Sequence, residues 1–199
     1  RNPFGSDDPE EVAERCATMV EWAIDYQSSG DVAAFIAESV MGEGGILVPP
    51  MSYFRRVKEI LDRHGILFIA DEVQSGFGRT GKTFAVEHYG VEPDIMVLAK
   101  GIADGFPLSA TIARAEIADS LKPGEHLSTF GGNPVSCAAG LANIDVMEEE
   151  RLPQEASRKG EHVMDRLHSM AEKHPLIGEV RGLGLMIGVE LVKDRQTKE

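Results

Sequence analysis

The predicted fold is decided by residues 65–100, which read GILFIADEVQSGFGRTGKTFAVEHYGVEPDIMVLAK. Two short apolar runs in this stretch, residues 66–70 and 95–99, are bounded by glycine or charged residues and predict buried strands. The first run is followed by Asp71, and the second is followed by Lys100. Because open α/β sheets bind ligands outside the carboxyl ends of their strands, we expect Asp71 and Lys100 to face one crevice.

The neighbouring sequence alternates strands and helices. A strand pattern at residues 32–37, a helical pattern at 52–64 and the strand at 66–70 form one βαβ unit. Such a unit favours a parallel sheet with right-handed crossovers. The remaining predicted elements are helices over residues 7–27, 115–121, 135–149 and 153–173, a strand at 108–113, and paired strands within 177–192. We therefore predict an α/β fold whose final segment begins a second, smaller domain.

The composition indicates a globular protein and excludes several classes of partner. The 199 residues are 42% hydrophobic and 27% charged, which is ordinary for a globular chain. A formal net charge of -13 without a Lys/Arg cluster argues against a nucleic-acid surface. No apolar run approaches membrane-spanning length, so no membrane contact is expected. Cys16 and Cys137 stand alone, which favours reduced thiols, a cytoplasmic location and no structural metal.

A phosphate-loop pattern is present but lacks its structural context. Residues 76–83, GFGRTGKT, match G-x-x-x-x-G-K-[ST], which requires a strand before the loop and a helix after it. The helical pattern after the loop is interrupted by Gly90 and Pro93. A nucleoside triphosphatase also needs an aspartate at the end of another strand, whereas the next strand ends in Lys100. We therefore reject a P-loop NTPase as the main interpretation.

Asp71 and Lys100 together suit one kind of cofactor. A lysine in a dry crevice can form a Schiff base with an aldehyde when burial lowers the pKa of its amine. An aspartate about 4 Å from a pyridine nitrogen, at an effective dielectric of about 20, favours the protonated nitrogen by roughly 4 kcal/mol, or about three pKa units. A protonated pyridine ring withdraws electrons, so the pair predicts pyridoxal 5'-phosphate as the cofactor.

Four blocks of sequence carry a resemblance to a known family. They are FIADEVQSGFGRTG at residues 68–81, PDIMVLAKGIA at 93–103, STFGGNP at 128–134 and VRGLGLM at 180–186. In this order they resemble class III (omega) aminotransferases, most of all the alanine–glyoxylate aminotransferase 2-like and 4-aminobutyrate aminotransferase branches. The resemblance implies fold type I of the PLP transferases. Residues 1–150 would then be the later part of the large cofactor-binding domain, a mostly parallel sheet with helices on both faces, and residues 151–199 the start of a small α+β C-terminal domain.

The resemblance also implies roles for five residues at the cofactor. Lys100 would hold pyridoxal phosphate as an internal aldimine and later move a proton between substrate and cofactor carbons. Asp71 would pair with the pyridinium nitrogen, Val73 would pack on one ring face, and Gln74 would donate a hydrogen bond to the phenolic oxygen. Thr129 would reach the cofactor phosphate of a neighbouring subunit, which implies a homodimer with shared sites.

For the substrate, the resemblance implies that Arg181 binds the carboxylate through a bidentate pair. Glu43 would hold or release Arg181 according to the substrate. Ser39 and Met41 stand where the family usually has proline and glutamine, so the loop that carries Glu43 departs from the family pattern. Glu72 is expected to be a structural acid.

Simpler structural roles remain possible for the same residues. Lys100 could be a solvated lysine at a strand end, and Asp71 could cap a turn. Gln74 and Thr129 could satisfy loop backbone groups, and Arg181 could pair with a surface acid. Under each of these alternatives the residue would have an ordinary packed or solvated side chain and no part in a cofactor or substrate site.

The sequence therefore predicts a transaminase. It would move an amino group from an amino acid or omega-amine, such as alanine or 4-aminobutyrate, to a 2-oxo acid such as glyoxylate, pyruvate or 2-oxoglutarate. The resemblance covers about half a subunit, and the loop that cradles the phosphate in the family would lie upstream. We expect the 199-residue chain to be a fragment with little or no turnover of its own. An inactive remnant of the fold and a semialdehyde aminomutase stay open as alternatives.

Overall fold

The computed structural model describes residues 4–197. The helices are α1 (Pro9–Gln27), α2 (Tyr53–His64), α3 (Ala115–Ala118), α4 (Pro134–Glu149) and α5 (Leu152–Lys173). The strands are β1 (Ala34–Glu38), β2 (Leu67–Asp71), β3 (Ile95–Leu98), β4 (Ala110–Ala113), β5 (Ile177–Leu183) and β6 (Met186–Leu191). Two 3-10 turns lie at Ala85–Tyr89 and Lys100–Ile102. The predicted order of helices and strands is confirmed, with ends displaced by a few residues.

One four-stranded sheet has the order β1-β2-β3-β4. The first three strands are parallel, and β4 runs antiparallel to β3. The register pairs Glu38 with Asp71 and Asp71 with Val97, so the carboxyl ends of β1, β2 and β3 lie along one edge. The prediction of a mostly parallel α/β sheet is confirmed, and its strand ends gather the candidate residues on one side.

The sheet is fixed from one face by α2. Apolar residues recur along one side of this helix, and Phe54 and Leu61 are fully buried against the sheet. The Phe54 ring stacks on Phe68 of β2 at 5.6 Å between centroids and meets Tyr89 edge-on at 4.8 Å. Gly65, at φ +68°, ends α2 in the left-handed conformation that glycine adopts without a steric penalty. This packing holds β2, and with it Asp71, in a rigid position.

The β5–β6 hairpin contacts the loop that resembles a phosphate loop. Leu185 at the hairpin turn donates its backbone N–H to the Arg79 carbonyl at 3.0 Å. A Cβ added to Gly184 would lie 2.4 Å from the Thr80 carbonyl carbon, so the two backbones are in direct contact. Residues 76–83 run into turns and then a 3-10 segment rather than a crossover helix, which agrees with the rejection of an NTPase. The division of the chain at residue 150 stays a prediction.

Candidate active site

Lys100 follows β3 at the edge of the sheet. It begins the 3-10 turn Lys100–Ile102 with φ at +48°, a left-handed conformation that is uncommon for a residue with a side chain. Its side chain is exposed, and no hydrogen bond or ion pair holds its amine within residues 4–197. Strained backbone of this kind clusters at functional sites. The amine is therefore presented at the strand end without a structural partner.

Asp71 ends the neighbouring strand and is half-buried. One carboxylate oxygen, Oδ1, accepts the backbone N–H of Val73 at 3.0 Å. The other oxygen has no hydrogen bond to any described residue. The turn-capping role and the cofactor role are thus compatible, because each would use a different oxygen of the same carboxylate.

Gln74 lies in the turn after β2 and packs against Gly42. A Cβ added to Gly42 would come within 2.0 Å of Gln74 Oε1, so only glycine leaves room for this amide. The Gly42 N–H donates to Glu38 Oε2 at 2.9 Å. Sequence reasoning missed Glu38 and Gly42, although Glu38 directly follows the strand predicted at residues 32–37, as Asp71 follows the one at 66–70. Val73 is half-buried beside Gln74. The predicted contacts of Val73 with the cofactor ring and of Gln74 with its phenolic oxygen stay predictions.

Glu72 is fully buried and satisfied by hydrogen bonds. Its carboxylate accepts from four donors: Ser39 Oγ at 2.7 Å, Ser75 Oγ at 2.7 Å, Ala85 N at 3.0 Å and Val86 N at 2.7 Å. Its backbone N–H donates to the Val97 carbonyl of β3 at 3.0 Å. Glu72 thus ties together the ends of all three parallel strands and the 3-10 segment, as expected of a structural acid.

Tyr89 extends this buried network. Its hydroxyl donates to the Ser39 carbonyl at 2.8 Å. Burial first, and the nearby Glu72 carboxylate second, raise the pKa of Tyr89 well above its ordinary value, which keeps the hydroxyl protonated as a donor. Ser39, which departs from the family pattern, therefore contributes both a hydroxyl and a carbonyl to the network.

Arg181 is mostly buried on β5, but its partners differ from the predicted one. Its Nε and Nη2 groups donate to the Gly45 carbonyl at 2.9 Å and 2.6 Å. Its Nη1 lies 2.9 Å from Glu190 Oε2 and 3.3 Å from Glu179 Oε2. Glu43 is exposed, and within residues 4–197 no ion pair joins it to Arg181. Arg181 thus contacts the loop that carries Glu43 without a direct ion pair to Glu43, and the predicted roles of both residues toward a substrate stay predictions.

Thr129 lies in an exposed segment, residues 118–132. Its side chain makes no hydrogen bond to the described part of the chain, so its predicted contact with a neighbouring subunit's cofactor stays a prediction.

No group of three or more His, Cys, Asp or Glu side chains is placed to bind a metal ion among residues 4–197. In the same residues no helix has both the length and the apolar character needed to span a bilayer.

The profile of the Aminotransferase class-III family matches residues 3–199. The chain belongs to this family. Among curated relatives, the alanine–glyoxylate aminotransferase 2 homolog 2 of Arabidopsis thaliana is 45% identical over 100% of this chain and 40% of its own length. The 4-aminobutyrate aminotransferase of Escherichia coli is 49% identical over 82% of this chain and 38% of its own. The predicted family is confirmed, and both predicted branches are among the relatives.

A third relative has a different activity. The leucine/methionine racemase of Thermococcus litoralis is 52% identical over 100% of this chain and 45% of its own length. Sequence reasoning did not predict a racemase among the relatives. The chain spans less than half the length of these three proteins.

Solved transaminase structures share the fold. An amine transaminase from an uncultivated Pseudomonas species, in its PLP-bound internal aldimine form, superposes with a TM-score of 0.95 at 42% identity, covering 100% of this chain and 47% of its own. An (S)-enantioselective omega-transaminase from Thermomicrobium roseum gives a TM-score of 0.93 at 42% identity, covering 100% and 45%. The predicted fold class is confirmed, as is pyridoxal phosphate as the cofactor of this family.

Proposed function

We propose that this chain supplies the lysine and aspartate half of a class-III transaminase site. The observation that carries the proposal is the placement of Lys100 and Asp71. They follow adjacent parallel strands at one edge of the sheet, and each keeps a functional group without a partner in the described residues. The whole protein would transfer an amino group from an amino acid or omega-amine to a 2-oxo acid.

The residues at the strand ends fit pyridoxal phosphate. The free oxygen of Asp71 can accept the pyridinium N–H, and the Lys100 amine can attach the cofactor aldehyde covalently. Val73 offers an apolar side chain, and the Gln74 amide has no hydrogen bond within residues 4–197. When bound, the cofactor supplies an electron sink for carbanion chemistry.

Asp71 and Lys100 would then have different roles in the reaction. Asp71 would keep the ring nitrogen protonated, since opposite charges about 4 Å apart attract by roughly 4 kcal/mol at an effective dielectric of about 20. Lys100, once its amine is free, would carry a proton between carbon atoms, which is general acid–base catalysis by a positioned group. Thr129 would bind the phosphate of the cofactor held by a neighbouring subunit, in a homodimer with shared sites. The proposal also includes a cytoplasmic location.

Amino acid racemisation is the second candidate, favoured by the 52% identity to a leucine/methionine racemase. In both reactions Lys100 would remove the proton from the substrate Cα. Transamination would then place a proton on a cofactor carbon, whereas racemisation would return one to the opposite face of the Cα. They differ in the fate of the amino group, which leaves the substrate in transamination and stays on it in racemisation. Dependence on a 2-oxo acid acceptor therefore separates them.

The test uses a protein that carries this chain within the family's full length, loaded with pyridoxal phosphate. L-alanine alone should release at most one equivalent of pyruvate per site, and adding glyoxylate or 2-oxoglutarate should sustain turnover. Accumulation of D-alanine from L-alanine, or of D-leucine from L-leucine, without any acceptor would favour the racemase instead. Lys100→Ala should abolish either reaction, and the 199-residue chain alone should show little turnover.

A further inference from the structure

The loop of residues 41–47 is held in an unusual backbone conformation. Met41 and Leu47 exchange two backbone hydrogen bonds of 3.0 Å, which close the loop at its base. At its tip Gly45 has φ at +109° and Ile46 has φ at +53°, and the second value is rare for a β-branched residue. A strained tip of this kind persists only when surrounding contacts fix it. Inside the loop, the Gly45 and Ile46 N–H groups both donate to the Gly42 carbonyl, at 3.0 and 3.1 Å, and contacts from outside the loop add to this support.

The β5–β6 hairpin supplies those outside contacts. Arg181 donates two hydrogen bonds to the Gly45 carbonyl and one of 3.2 Å to the Ile46 carbonyl. Gly188 on β6 is the register partner of Arg181, and a Cβ added there would lie 3.0 Å from Ile46 Cβ. The loop tip thus rests on two adjacent strands, with the arginine as its main polar contact.

The guanidinium has little capacity left for a substrate. A carboxylate is best bound by two parallel N–H groups on one edge of the fork. Here the edge formed by Nε and Nη2 faces the Gly45 carbonyl, while Nη1 faces Glu190 and Glu179. A substrate carboxylate would have to displace a backbone carbonyl and approach two like-charged side chains.

The contacts continue from the loop to the candidate site. Gly42 lies near the start of the 41–47 loop, and the Gln74 amide packs directly over it. We propose that Arg181 is a positioning residue that fixes the 41–47 loop, and through Gly42 fixes Gln74, rather than the group that binds the substrate carboxylate. Only the step from Gln74 to a bound cofactor rests on the proposed function.

Hydrogen–deuterium exchange of the 199-residue chain tests the support of the loop. Arg181→Gln removes the charge-assisted bonds, and we expect the Met41 and Leu47 amides to exchange about 10-fold faster or more. Amides of α2 serve as the internal reference for global stability. Arg158→Gln is the matched control, because Arg158 is exposed and, among the described residues, pairs only with Glu155 on its own helix. It should leave the loop unchanged.

Unchanged exchange of the loop amides in Arg181→Gln would overturn the proposal. If that variant does not fold, Arg181→Lys replaces it. A lysine keeps the positive charge but lacks the planar fork of the guanidinium, so it should raise loop exchange by a smaller factor. No rise at all would again overturn the proposal.

A second measurement separates positioning from carboxylate binding. In the full-length, cofactor-loaded protein, absorbance titrations compare alanine with isopropylamine, an amine that lacks a carboxylate. A positioning role predicts that Arg181→Gln weakens both by the same factor, whereas loss of about 10-fold or more for alanine alone would contradict it. Absence of any cofactor at Lys100 in the unmodified protein would overturn the proposed function but would leave the exchange result standing.

Discussion

Glu72→Gln is expected to lower the free energy of unfolding of this chain by about 3 kcal/mol. The substitution preserves the shape of the side chain but replaces one acceptor oxygen with an NH₂ group. That group would face backbone and hydroxyl donors that now bond to the carboxylate at 2.7–3.0 Å. Each carboxylate oxygen accepts one buried backbone N–H, from Ala85 or from Val86. Neither N–H can rotate away, so one of them would lose its acceptor in either orientation of the amide. An unsatisfied buried donor costs about 1–3 kcal/mol, and donor–donor repulsion adds to this.

Urea unfolding followed by circular dichroism measures the effect. Ser39→Ala removes one of the four donors and should cost about 1 kcal/mol, because Glu72 keeps the other three. Glu92→Gln is the matched control: Glu92 is 81% exposed, so its change should stay within about 0.5 kcal/mol. If Glu72→Gln were as stable as the Glu92 variant, the buried network would not have the structural role assigned to it.

Gly160→Ala is expected to destabilise the chain by about 2 kcal/mol or more, although alanine favours a helix over glycine by about 1 kcal/mol. Gly160 lies in α5, where its Cα faces the hairpin turn. A Cβ built there would lie 2.0 Å from the Gly184 carbonyl oxygen and 2.4 Å from its carbonyl carbon. Both atoms are backbone, so no side-chain rotation relieves the overlap. Either α5 or the hairpin must move, and the contacts between them would be lost.

Gly140→Ala in α4 is the matched control for this steric argument. There the nearest atom to an added Cβ is the Leu108 Cδ2 at 2.9 Å, the end of a side chain that can move. Helix propensity and the small overlap should nearly cancel, leaving a change within about 1 kcal/mol. Equal urea midpoints for the two variants would show that α5 and the hairpin are not packed backbone to backbone.

The strand ends were predictable because their signals are local. Asp71 and Lys100 each follow an apolar run bounded by polar residues, and parallel strands bring such positions to one edge. The helical spacing of α2 predicted its buried side, which packs on β2. Gly90 and Pro93 also argued, from sequence alone, against a crossover helix after the loop at residues 76–83. In each case a few adjacent residues carried the whole inference.

The remaining features depend on contacts between distant residues. The Glu72 carboxylate bonds to Ser39, which is 33 positions away, and Arg181 bonds to Gly45 across 136 positions. No periodicity encodes these pairs. Family resemblance predicted that Glu43 holds or releases Arg181 according to the substrate, and this stays a prediction, while Nη1 of Arg181 pairs with Glu190 in the structure. The direction of β4 was likewise open, since a four-residue strand pattern does not specify parallel or antiparallel pairing.

Covalent trapping of the cofactor tests the central claim most directly. The chain is incubated with pyridoxal phosphate and reduced with borohydride, and the pyridoxyl mass is located by peptide mapping. We predict one dominant adduct on Lys100, absent in Lys100→Ala and weakened in Asp71→Ala, because the aspartate fixes the ring beside the amine. Labelling spread over exposed lysines, with Lys100 modified no more than Lys82, would contradict the assignment of these strand ends as the cofactor site.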